Sequence, residues 1–193
     1  GGAKPMPALP SQARDAARGA RPLPDALLRD LAQREDELDP PMQSRLVDAL
    51  TDPETGLFNY AFLNYKLEEE FKRSSRFGHA LACVMLGFEG QASELVLREL
   101  SSIFLDTSRD TDILGRFDES SFLFLLPNTG QDGAQVMAKR VGQMAQDRNL
   151  CDLTGEPLSI AVGIACHPHP DVRRREDLYG AARNAFLAAR QEG

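Results

Sequence analysis

Between Tyr60 and Arg76 apolar residues recur at helical spacing. Phe62, Leu63, Leu67 and Phe71 form one stripe, and Lys66 and Glu68 to Glu70 read as the outward face. Leu81 to Leu86 is a continuous apolar run, which predicts a strand covered on both faces. Ser93 to Phe104 reads as a helix, with Leu95, Leu97, Leu100, Ile103 and Phe104 apolar. A hairpin pattern follows. Ile113 and Leu114 lead through Gly115-Arg116-Phe117 to a polar tip, Asp118-Glu119-Ser120-Ser121, and an apolar return, Phe122 to Leu126, stops at Pro127. Asp132 to Asp147 carries Val136, Met137, Val141 and Met144 at helical spacing. Leu158 to Ala165 alternates apolar and small residues, the pattern of a central strand, and Glu176 to Gln191 is an Ala-rich helix. The order α-β-α-β-β-α-β-α predicts an α/β sandwich: a central mixed sheet flanked by helices.

Upstream the pattern changes. Residues 1–23 hold Pro5, Pro7, Pro10 and Pro22 among Ala, Gly and Arg, with too few large apolar side chains for a core, and are expected to be a flexible linker. Residues 24–50 are expected to form a helical stalk. Leu27, Leu28, Leu31 and Leu38 mark a first helix, Asp39-Pro40-Pro41 breaks it, and Met42, Leu46, Val47 and Leu50 share one face of a second. The folded domain is expected to span residues 51–193, opening on the turn chemistry of Asp52-Pro53-Glu54-Thr55-Gly56.

Composition narrows the function classes. At 193 residues with 42% hydrophobic and 26% charged positions, the chain can bury a core. A net charge of -7 argues against a surface that coats nucleic acid. No apolar run approaches the ~20 residues of a membrane helix, and the N-terminal stretch lacks the apolar core of a secretion signal. Cys83, Cys151 and Cys166 are far apart, so neither a zinc site nor a disulfide framework is expected, and a cytoplasmic setting is the default. His167 and His169 flank Pro168 without a third ligand and read as a polar loop. Arg173-Arg174-Arg175, followed at once by Glu176-Asp177, reads as a solvated helix start.

Four stretches, in order and at matching spacing, resemble one family. Thr51-Asp52-Pro53-Glu54-Thr55-Gly56-Leu57-Phe58-Asn59 is similar to its opening "TDPLTGLxN". Leu81 to Leu86 resembles its first strand. Arg116 to Phe122 falls on its "RYGGDEF", and Ala182 to Gly193 on its closing "ADxALYxAKxxG". The family is the GGDEF domain, the nucleotidyl-cyclase-like fold of bacterial diguanylate cyclases. The resemblance implies the fold directly. It implies cyclisation of GTP to cyclic di-GMP only where two Mg²⁺ ions are held by an Asp at the end of the first strand and by the acid of the signature hairpin.

Here those positions depart from the family. The strand-end Asp aligns with Gly87. The signature becomes Asp118-Glu119-Ser120-Ser121 before Phe122, with Ser121 where the metal-binding acid should stand. Asp118 and Glu119 replace two glycines and sit two positions early, a displacement of roughly 7 Å along a strand. About a dozen residues that carry the guanine-reading Asn and Asp are missing between Glu89 and Ser93, and the closing Lys becomes Arg190. The expectation is a degenerate domain without cyclase activity, with no Mg²⁺ cofactor and no catalytic residue.

One motif survives. Arg109-Asp110-Thr111-Asp112 keeps the "RxxD" pattern that in active members is the inhibitory site for cyclic di-GMP, and Arg140 falls at the offset of a further family arginine. A guanidinium fork suits phosphate or a guanine edge, and a carboxylate accepts from guanine N–H groups. The first functional expectation is a cyclic di-GMP receptor acting through Arg109, Asp112 and Arg140 in signal transduction, with protein partners and a homodimer expected. The alternative is a nucleotide-independent protein-interaction scaffold that uses the fold and the N-terminal helices.

Overall fold

The structure is a computed structural model and describes residues 40–192. The expected linker 1–23 and the first stalk helix lie outside the described residues. Helix α1 (Pro40–Leu50) packs Leu46 and Leu50 on Phe62 of α2 (Tyr60–Phe77). Asn59 joins the two helices. Its Oδ1 accepts from the Phe62 N–H at 3.0 Å, capping α2, and its Nδ2 donates to the Ala49 carbonyl at 2.8 Å. Gly78, at φ 71°, ends α2 in the left-handed conformation that glycine adopts without strain.

The sheet has four strands: β1 (Leu81–Gly87), β2 (Ile113–Arg116), β3 (Ser121–Pro127) and β4 (Ala161–His167), in the order β2-β3-β1-β4. Between them run α3 (Glu94–Thr107) and α4 (Gln131–Asp147), and α5 (Arg175–Glu192) closes the chain. Every pairing is antiparallel, where a mixed sheet was expected. The reason is topological. The β1-α3-β2 and β3-α4-β4 crossovers each join parallel strands, but each pair has one strand inserted between its members, so parallel strands never touch. A second correction concerns β4. It lies at the sheet edge, not the centre, and its small residues serve close packing by α5. A Cβ on Gly163 would lie 2.2 Å from both the Ala182 carbonyl oxygen and the Phe186 nitrogen.

Alternation in β1 divides the core into two halves. Ala82, Val84 and Leu86 face α3 and α4 together with Phe122, Phe124 and Leu126. Leu81, Cys83 and Met85 face α2 and α5 together with Leu123 and Leu125. Phe104 packs edge-on against Phe122 and Phe124, with ring centres 4.8 and 4.9 Å away. Burying each of these rings contributes about 2–3 kcal/mol. The hairpin's apolar return is therefore the middle of the core.

Some charged positions behave otherwise than the pattern suggested. Glu70, read as outward, is buried, with Arg73 at 3.4 Å. His167, read as part of a polar loop, ends β4 and is buried: Nδ1 lies 2.7 Å from the Ser74 hydroxyl, and the ring packs 4.5 Å from that of Phe71. Arg173 and Arg174 are exposed, as a solvated helix start requires, and their backbone N–H groups both donate to Asp177 at 3.0 Å. Those two bonds hold the Asp177 carboxyl below its usual range.

Candidate functional site

The signature hairpin and the RxxD stretch sit at opposite ends of β3. At the tip, the Phe117 and Asp118 N–H groups donate to the Ser121 carbonyl at 2.9 and 3.2 Å. Asp118 turns inward, and its Oδ1 accepts from the Ser120 N–H at 3.0 Å. Arg116, 9% exposed, clamps the turn from beneath. Its Nε donates to the Asp118 carbonyl and its Nη2 to the Glu119 carbonyl, both at 2.9 Å. Its Nη1 meets Asp52 at 3.1 Å and Glu54 at 3.2 Å. Asp52 is itself fixed by the Thr55 hydroxyl at 2.7 Å. Sequence reasoning missed this role of Arg116 and Asp52. The signal was an arginine beside a polar tip and an acid in a Pro-Thr-Gly turn, two features separated by 64 positions.

Gly87 and Ser121 stand directly opposite each other in the β1–β3 register. The two positions that the family frame nominates as metal anchors are thus cross-strand neighbours. The Ser120 carbonyl accepts from the Phe88 N–H at 3.0 Å, which seats the tip on the end of β1. A Cβ on Gly87 would lie 2.4 Å from that carbonyl oxygen and 2.9 Å from the Ser121 Cα. Glu89, the next acid along, meets Arg190 at 3.7 Å. Among the described residues, no three His, Cys, Asp or Glu side chains converge as a metal site would need.

At the other end of β3, a cleft of about 360 Å³ opens between the loop after α3 and the start of α4. Arg109, Asp112 and Arg140 all line it, with Asn128, Thr129 and Gly133. The turn between α3 and β2 brings Arg109 and Asp112 together. The Asp112 N–H donates to the Arg109 carbonyl at 3.0 Å, and the Arg109 N–H donates to Asp112 Oδ2 at 2.8 Å. Arg109 is 57% exposed, and its Nη2 donates to the Pro127 carbonyl at 3.0 Å and to the Thr129 hydroxyl. The Asp112 side chain is only 5% exposed, and its Oδ1 has no hydrogen-bond partner, the nearest cation being Arg109 Nη2 at 3.7 Å. Leaving a buried acceptor unsatisfied costs on the order of 1–3 kcal/mol. The cleft is therefore lined by two guanidinium groups and a carboxylate with one buried, unsatisfied oxygen, chemistry that suits a ligand with N–H donors and an anionic or electron-rich edge.

Comparison with known proteins agrees with this architecture. Residues 49–193 match the family model described as "Diguanylate cyclase, GGDEF domain". The chain is 29% identical over 155 residues to diguanylate cyclase DgcP of Pseudomonas aeruginosa, covering 75% of this chain and 23% of that protein. It is 24% identical over 152 residues to diguanylate cyclase DosC of Escherichia coli, covering 72% of this chain and 32% of that protein. The chain thus spans less than a third of these curated relatives. Among solved structures, the GGDEF domain of DgcB from Caulobacter crescentus in complex with c-di-GMP superposes with a TM-score of 0.67 at 16% identity, over 75% of this chain and 92% of that one. Diguanylate cyclase SiaD in complex with its activator SiaC, from Pseudomonas aeruginosa, has a TM-score of 0.68 at 25% identity, over 95% of this chain and 71% of that one. By the extent of the family match and the antiparallel sheet with its flanking helices, the chain belongs to the GGDEF family.

Proposed function

We propose that this domain is a degenerate GGDEF module that makes no cyclic di-GMP and instead binds it as a receptor, through Arg109, Asp112 and Arg140. The observation that carries the reading is the cleft. Three residues nominated by motif and offset, from two elements, line one opening, and the buried Asp112 Oδ1 there has an ion-pair contact with Arg109 but no hydrogen bond. A guanine N–H donor would satisfy that oxygen, and the guanidinium groups would meet phosphate or the purine edge.

The loss of catalysis rests on the other end of β3. Mg²⁺ takes hard oxygen ligands, usually one or two carboxylates with the substrate phosphates. The facing positions Gly87 and Ser121 offer a bare backbone and a neutral hydroxyl. Asp118 and Glu119 do not replace them: Asp118 is folded into the turn and Glu119 is exposed. The residues present do not fit the metal pair.

The test is a parallel calorimetric titration with GTP and with cyclic di-GMP. The expected outcome is binding of cyclic di-GMP with a Kd in the micromolar range or below, about -8 kcal/mol, lost in Arg109→Ala, and no binding of GTP with Mg²⁺. Absence of heat with cyclic di-GMP at high concentration overturns the receptor reading, and cyclic di-GMP formed from GTP overturns the loss of catalysis.

A second reading is a scaffold that binds a protein partner without nucleotide. It is favoured by SiaD, a neighbour matched over 95% of this chain and solved with a protein activator, and by Val47, half-exposed on α1. Specific capture of one partner by the ligand-free domain, unchanged in Arg109→Ala, would support this reading. A ligand-free domain that captures nothing would count against it.

A further inference from the structure

We infer that Thr129 is a positioning residue of the Arg109 cleft: it holds the guanidinium by one nitrogen so that its opposite edge faces the ligand. The inference rests on the receptor reading above and adds to it a residue that no motif nominated.

The hydrogen bonds define the role. Thr129 Oγ1 donates its single proton to the Pro127 carbonyl at 3.1 Å. The hydroxyl oxygen is then an acceptor, and Arg109 Nη2 donates to it. The same Nη2 donates to the Pro127 carbonyl at 3.0 Å. Both anchoring contacts therefore fall on one nitrogen. The Nε and Nη1 groups carry the guanidinium's remaining three N–H bonds, and among the described residues the acceptors for Arg109's side chain, the Asp112 contact included, are all at Nη2. A planar fork fixed at one corner presents its free edge in a set direction, which reduces the ordering cost of a bidentate contact.

The ordinary role of such a threonine is absent. A Thr beside a helix start commonly caps the helix. Here the N-cap of α4 is Gly130, and no side chain caps it. The Thr129 hydroxyl is committed to Arg109 and Pro127 instead. Its methyl is fixed as well. A Cβ on Gly133 would lie 2.9 Å from Thr129 Cγ2, so the missing side chain at Gly133 makes room for the methyl and sets the direction of the hydroxyl.

Two variants test this by calorimetry with cyclic di-GMP, alongside melting temperature. Thr129→Val keeps the shape and removes the hydroxyl. It should weaken binding about tenfold, the worth of one hydrogen bond to a charged group, and Thr129→Ser should restore the wild-type Kd. Gly133→Ala pushes on the Thr129 methyl while adding a better helix former. It should weaken binding while leaving the melting temperature unchanged or higher, a divergence that a merely structural role would not produce. If the wild type binds and Thr129→Val or Gly133→Ala binds equally well, the positioning role is overturned and the receptor reading stands. If the wild type itself gives no heat, both fall.

Discussion

Replacing Gly87 by alanine should destabilise the domain strongly. The new Cβ would approach the Ser120 carbonyl oxygen to 2.4 Å and the Ser121 Cα to 2.9 Å. Both are backbone atoms, so no side chain can rotate away. The hairpin tip must lift, which breaks the 3.0 Å bond from the Phe88 N–H to the Ser120 carbonyl. Overpacking costs about 1–3 kcal/mol and the lost bond adds about 1 kcal/mol, together roughly 2–4 kcal/mol. For a domain of about 150 residues, each kcal/mol moves the midpoint by about 2–4 °C, so the melting temperature should fall by roughly 5–15 °C. Thermal unfolding followed by circular dichroism reads this directly. Gly142→Ala on α4 is the control: nothing lies within 4 Å of its Cβ, and it should stabilise slightly because alanine is the better helix former. An unchanged melting temperature in Gly87→Ala would refute the seating of the tip on β1. The same contact predicts that the double variant Gly87→Asp, Ser121→Glu will form no cyclic di-GMP from GTP, because the restored carboxylate has no room to stand.

Three further outcomes follow from the geometry. Arg116→Met removes the donor for the Asp118 and Glu119 carbonyls and leaves Asp52 without its cation; the urea midpoint should reflect a loss of about 3 kcal/mol. Burial lowers the pKa of His167 below its ordinary value near 6.5, so the unfolded chain binds a proton there that the folded chain resists. Stability should therefore fall as pH drops through that value toward the lower folded one, and His167→Gln should flatten this part of the profile. Cys83 is fully buried and its thiol is pushed up to about 12, whereas Cys151 is partly exposed. A thiol reagent at neutral pH should label Cys151 first and Cys83 only after unfolding.

Much of the fold was readable because its signals were local. The apolar stripe of α2, the unbroken run of β1 and the hairpin return each need only a short window. The sheet's antiparallel pairing was not readable, since it depends on which strand slides between two others. The edge position of β4 was missed for a related reason. Alternating small residues look alike whether they serve a central strand or a helix at close range, and only Gly163 against Ala182 and Phe186 tells the two apart. At the cleft, the family resemblance nominated Arg109, Asp112 and Arg140, and all three line it. Thr129 was not, because it is 20 positions from Arg109 and resembles a helix cap. At the tip, the sequence marked Asp118 to Ser121 as departing from the family signature. It did not reveal that Arg116, reaching 64 positions back to Asp52, now organises the turn.

The two ends of β3 are energetically separable, and this gives the degenerate reading its physical sense. From Ser121 to Pro127 is six steps of about 3.4 Å, roughly 20 Å in all. The tip is held by Arg116 and the end of β1. The cleft is held by Pro127, Thr129 and Asp112. No residue belongs to both sets, and substitutions at such a distance without shared partners act additively. Changes at the tip can therefore accumulate without disturbing the cleft, provided Phe122 to Leu126 remain in the core between them. Gly87→Ala should then lower the melting temperature yet leave the Kd for cyclic di-GMP within about twofold under conditions where the variant stays folded. Thr129→Val should do the reverse. A Gly87→Ala protein that is folded but no longer binds cyclic di-GMP would mean that β3 transmits strain from end to end and that its two ends are not separable.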